Sequence, residues 1–132
     1  GGKKSMKAGY YFHIEPGESF AGGGIYMPMA PELKKVRQEI EYNSDEFRSI
    51  VEGKKFRSVF GGLSESEGMK ISRVPQGFDK ESPVADYLMF KSYIALRNIP
   101  DKDLAEKSLV KTVVDSFAAL QPLLSFINRS FD

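Results

Sequence analysis

Tyr10-Tyr11-Phe12-His13-Ile14-Glu15-Pro16-Gly17 is the stretch whose reading decides the fold. β-Favouring residues run into a Pro-Gly pair, and that pair stops a strand and starts a turn. Successive strand side chains point to opposite faces. Tyr10, Phe12 and Ile14 therefore share one face, and Tyr11, His13 and Glu15 share the other. The first face reads as core, and the second is amphipathic. Downstream, Ala21-Gly22-Gly23-Gly24 leads into Ile25-Tyr26-Met27-Pro28. This reads as the glycine-rich return of a hairpin, with the glycines as a turn or bulge.

Helical spacing takes over after the hairpin. Pro31 suits a first helical position. Leu33, Val36 and Ile40 form one apolar stripe, which predicts a helix to about Glu41. Ser44 suits a cap for a second helix that buries Phe47, Ile50 and Val51 and ends at Gly53. Phe56 to Phe60 reads as a strand, and Met69 to Val74 as a strand pairing with it. Pro75-Gln76-Gly77-Phe78-Asp79-Lys80-Glu81-Ser82-Pro83 is a loop whose Ser-Pro end starts a helix with Val84, Tyr87 and Leu88 inside. Lys91 to Arg97 reads as another strand. Asp101 suits a cap for the longest element, with Val110, Val113, Phe117, Leu120, Leu124 and Ile127 as its stripe. Pro122 lacks an N–H and clashes with the Ala118 carbonyl, so a kink or break is expected near Gln121. The fold class is α+β: a mainly antiparallel sheet with helices packed on it, in a single domain over 1–132.

Composition excludes whole classes of chemistry. The 132 residues hold 19 Lys+Arg against 18 Asp+Glu, one His and no Cys. Disulfides, thiol nucleophiles and Cys metal sites are impossible within this chain, and a single His forbids a multi-His metal centre. No metal and no cofactor is expected. A net charge of +1 supplies no general pull toward nucleic acid. Lys3, Lys4, Lys7, Lys54, Lys55 and Arg57, near Tyr10, Tyr11 and Phe56, sketch a base-stacking surface, but the charge balance opposes it. No uninterrupted apolar run reaches membrane-spanning length. A cytoplasmic protein with no membrane partner is the expectation.

Candidate site residues come from two places. His13 and Glu15, two apart on one strand, can work as an oriented base or as a His-plus-carboxylate pair that holds a metal, although the same pair suits a plain polar face, the favoured reading. Tyr11 and Tyr26 lie beside them in the hairpin reading. Arg73, Lys80 and Lys91 bracket the Pro75–Pro83 loop and could make an anion site, against a bland reading of local surface ion pairs. Gly22-Gly23-Gly24 lacks the spacing and the following helix of a phosphate cradle. Gly17-Glu18-Ser19-Phe20-Ala21 misses the last glycine of a nucleophile elbow.

The Ala8–Gly17 segment, Gly23-Gly24-Ile25-Tyr26-Met27-Pro28, the Leu33–Ile40 helix and the Pro75–Pro83 loop resemble, in order, the bacterial domain of unknown function family 2461. The resemblance carries no catalytic residue, because the family is uncharacterised. It implies a C-terminal portion of a longer protein whose N-terminal segment packs against the Tyr11-His13-Glu15 face or completes a shared cleft. Self-association is the other expected cover for exposed aromatics. The functional expectation is a domain that binds a small anionic ligand through Tyr11, His13, Glu15, Tyr26, Arg73 and Lys80. The alternatives are part of a hydrolase or phosphate-handling enzyme, and a nucleic-acid-associated domain.

Overall fold

The computed structural model describes residues 8–105 and 107–132. The chain runs β1 (Gly9–His13), β2 (Phe20–Ile25), α1 (Ala30–Tyr42), α2 (Ser44–Val51), α3 (Lys54–Phe60), α4 (Ala85–Leu88), β3 (Tyr93–Asn98), α5 (Asp101–Leu104) and α6 (Leu109–Arg129). The three strands form one antiparallel sheet in the order β1-β2-β3. With helices packed on it and a long C-terminal helix, the fold is α+β.

The glycine run forms the middle of the central strand, where a turn or bulge was expected. Gly22, Gly23 and Gly24 pair with β1 on one side and β3 on the other. Their backbones point the missing Cβ positions alternately into the two neighbouring strands, onto the carbonyls of Ala95, Gly9 and Tyr93. Gly23 and Gly24 also hold φ of 150° and 133°, which L side chains rarely adopt.

Helix α6 lies across one face of the sheet. Tyr10 packs on Phe117 at 4.8 Å, and Arg97 reaches Asp115 and Ser116. Cross-strand register puts Tyr10 and Phe12 of β1 and Ala95 and Arg97 of β3 on this helix face, with Ala21 and Gly23 between them. The edge of that face is not closed. Tyr10, Phe12 and Ile14, expected in the core, stay substantially exposed. Tyr10 and Phe12 sit on the edge strand and Ile14 just after it, where among the described residues no further strand covers them.

The main core lies among α1, α2, α4, α6 and the β3 end of the sheet. Val36, Ile40, Phe47, Val51, Leu88, Tyr93, Leu120, Leu124 and Ile127 are buried in it. Phe47 is its hub, with rings of Tyr87, Tyr93 and Phe126 around it. Burial pushes the Tyr87 phenol up to about 12, and its hydroxyl donates to Glu52. At the surface, Arg129 of α6 bridges Glu39 of α1 and Glu46 of α2.

Four local expectations are corrected. Phe56 to Phe60 is helix α3: Gly53 enters it extended, Gly61 closes it at φ 77°, and the Phe56 ring packs tilted against Phe60 one turn on. Met69 to Val74 therefore has no strand there to join, and it makes only an isolated bridge between Lys70 and Phe90. Asp101 starts the short α5, and the long helix begins at Leu109. That helix is continuous through Pro122, with no break at Gln121. Leu120, Leu123 and Leu124 around the proline are buried and hold both halves in line. The exposed Ala118 leaves its orphaned carbonyl open to water. Length and composition alone would let α6 cross a membrane. In this fold Leu120, Leu123, Leu124, Phe126 and Ile127 are core residues.

Candidate functional site

The turn of the hairpin builds the most structured cleft. Glu18 N–H donates to the Glu15 carbonyl at 2.8 Å and closes the turn around Gly17, whose φ is 80°. Ser19 is buried and works as its rivet. Its hydroxyl accepts from Glu15 N–H at 2.9 Å and donates to the Glu15 carbonyl at 3.0 Å. The segment after β3 then crosses beneath. Ile99 N–H donates to the Ser19 carbonyl, and Gly17 N–H donates to the Asp101 carboxylate at 2.8 Å. Between the turn and the Asn98–Asp101 segment lies an open cleft of about 650 Å³.

His13, Phe20 and Asn98 form one cross-strand row into this cleft, on the face opposite α6. The His13 ring stacks on Phe20 at 5.2 Å. Its Nε2 lies 2.7 Å from the Glu15 carboxylate. In the neutral ring that contact places the proton on Nε2 and leaves Nδ1 as the acceptor. The hydrogen bond with His13 is the main reason the Glu15 carboxyl titrates below its ordinary 4.5. The lining holds the carboxyls of Glu15, Glu18 and Asp101 and, among the described residues, no Lys or Arg.

A lowered carboxyl pKa has a definite pH signature. The Glu15 contribution to stability is present above its unfolded value and disappears as pH falls through the lowered folded value. Side-chain carboxyl NMR should therefore give a Glu15 midpoint below 4.5, moving upward in His13→Ala. An unchanged midpoint in that variant would remove His13 as the cause.

The structure brings together only part of the predicted site. His13 and Glu15 line the cleft, while Tyr11, Tyr26, Arg73 and Lys80 do not. Tyr11 lies on the His13 face one strand repeat away and is exposed. Tyr26 follows the far end of β2, six residues beyond Phe20, or roughly 20 Å along an extended strand. Arg73 and Lys80 are exposed on the loop between α3 and α4. That loop is tied to α1, since Asp79 N–H donates to Glu41, and it is folded locally by Glu81 N–H on the Asp79 carboxylate. Asp101 and Ser19 were not legible as site residues. Asp101 meets Gly17 across 84 positions of chain, and no local pattern announces such a contact.

Two other sequence readings meet the structure here. Phe56 is buried and offers no exposed ring for base stacking, and Lys55 is paired with Asp115 at 2.9 Å. Lys3, Lys4 and Lys7 lie outside the described residues. Among the described residues no group of three or more His, Asp or Glu is placed to hold a metal ion.

Fold and cleft together define a small α+β domain with a polar, aromatic-floored hollow at one end of its sheet. The model of the family described as Conserved hypothetical protein (DUF2461) matches residues 1–126, and the chain belongs to that family. No curated protein and no solved structure matches the chain.

Proposed function

We propose that the chain is a small-ligand-binding domain whose site is the His13–Glu15 cleft, and that the ligand carries a positively charged nitrogen. The observation that carries this reading is the cleft lining: the carboxyls of Glu15, Glu18 and Asp101 share it with the His13 ring, which is stacked on Phe20, and among the described residues no basic side chain lines it. A cation there gains Coulomb attraction and an aromatic surface, and the riveted turn holds the groups ready. An anionic ligand would depend on Arg73 and Lys80, which lie on another loop. The charge of the cleft favours the opposite sign.

The enzyme alternative has one observation in its favour. His13 is oriented by Glu15, its side chain is half-exposed, and in the neutral ring Nδ1 remains an acceptor, an arrangement suited to general-base work. Ser19 is not its nucleophile, because both hydroxyl functions are used inside the turn.

The test is an NMR titration of the full chain with methylammonium, methylguanidinium, acetate and inorganic phosphate. The cations should shift the His13 and Glu15 signals, and Glu15→Gln should weaken that response about tenfold, or ~1.4 kcal/mol. A response to the anions alone would overturn the cationic reading. Hydrolysis of model esters or phosphates, lost in His13→Ala, would favour the enzyme.

A further inference from the structure

We infer that β1 is a self-association edge, and that its occupant is the β1 strand of a second copy of this chain. Among the described residues β1 borders the sheet and pairs only with β2. On its other side no described strand pairs with it, which leaves a row of backbone donors and acceptors for a further strand. Edge strands are normally protected by Lys, Pro, a bulge or a covering element. The Gly-Tyr-Tyr-Phe-His sequence of β1 has no Lys, Arg, Asp, Glu or Pro, and its register with β2 is unbroken.

The apolar surface next to this edge is continuous in direction. Ala8 is bonded to Asn128 and Tyr10 packs on Phe117, so β1 runs against α6. Phe12 and Ile14 therefore head toward the first turns of α6, where Val110 and Val114 precede Phe117 by seven and three residues. Tyr10, Phe12, Ile14, Val110 and Val114 are 40, 42, 60, 72 and 59% exposed. With about 200 Å² for a fully exposed large side chain, they leave roughly 500 Å² of apolar surface per copy. Two copies would bury at most about 1,000 Å² before counting backbone and Tyr11, the size of a weak, reversible contact.

The strand is self-complementary. In antiparallel pairing about a two-fold axis at Tyr11, Tyr10 lies opposite the partner's Phe12, and Gly9 lies opposite the partner's His13. No like charges meet, because β1 holds no formal charge apart from a protonated His13. The same axis stands perpendicular to the sheet, so both copies place α6 on one side. Their Val110 and Val114 ridges then face each other across the new seam. One isologous contact covers the edge and the exposed helix stripe together, in a continuous six-stranded sheet.

Sedimentation equilibrium of the full chain across the micromolar range tests this. The mass should rise to that of a dimer, with β1 amides gaining hydrogen-exchange protection as concentration rises. Phe12→Lys should weaken the dimer at least tenfold while leaving the circular dichroism of the fold intact, and Val114→Lys on α6 should weaken it independently. A mass that stays monomeric overturns the proposal. So does a dimer whose β1 amides stay unprotected, or one that both lysine variants leave unchanged. Protection of β1 only by an added, different polypeptide segment would assign the edge to that partner and would overturn self-pairing as well.

Discussion

Gly24→Ala should cost more than ~4 kcal/mol and move the urea midpoint by roughly 2 M, or abolish a cooperative transition altogether. The added methyl would land on the Tyr93 carbonyl oxygen and 2.9 Å from Ile94 Cα. Both atoms belong to the backbone of β3, so no side chain can swing away. Relief requires either β3 to move off β2 or Gly24 to leave its φ of 133°, and each breaks the ladder between Gly24 and Ile94. Gly9→Ala is the internal control. Gly9 lies in the paired strand, yet a Cβ there meets nothing within 4 Å. Its cost should stay within ~0.5 kcal/mol, as for an ordinary surface change. Equal midpoints for the two variants would mean that β2 does not sit as tightly between its neighbours as described.

Phe47→Ala should cost about 3–5 kcal/mol, a large share of the stability of any domain this size. Phe47 is fully buried, and its ring centroid lies 5.2 Å from Tyr87, 6.2 Å from Tyr93 and 5.4 Å from Phe126. Those rings come from the α4 region, the sheet and α6. Tyr93 cannot easily collapse into the hole, because its hydroxyl is fixed on the Tyr87 carbonyl at 2.7 Å. Phe47→Leu keeps most of the volume and should cost well under half as much. Thermal and urea unfolding of the pair give the comparison, and near-equal losses would show that aromatic packing is not what matters there.

The hairpin, α1, α2, β3 and the stripe of α6 were legible because each carries its own period or punctuation. Tyr10 to Glu15 alternates, Leu33, Val36 and Ile40 step by three and four, and Pro16-Gly17 marks the turn. Phe56 to Phe60 was not legible, since five residues with aromatic ends satisfy both periods. The Gly61 cap and the packing of Phe56 against Phe60 decided for helix. The glycine run misled for a related reason. Glycine marks turns and close backbone approaches alike, and only the strand on its far side, seventy residues on in sequence, distinguishes them. In the candidate site, the His13–Glu15 pair was readable because strand alternation puts neighbours two apart on one side. Asp101 was invisible because chain topology, with no local rule behind it, brings it to Gly17.

By itself the sequence determined that this chain is an α+β domain without thiol chemistry, and which residues share a face within each element. Those properties depend on residue type and on spacings of a few positions. Tertiary structure decided which faces are covered, where β2 lies, and which charges meet. Tyr10 and Phe12 are as apolar as any core residue, yet they stay exposed, because β1 became an edge. Arg73 and Lys80 look like partners for His13, yet the loop that carries them is tied to α1, away from the cleft. Burial and charge proximity are long-range quantities, and they take their values only when distant segments pack.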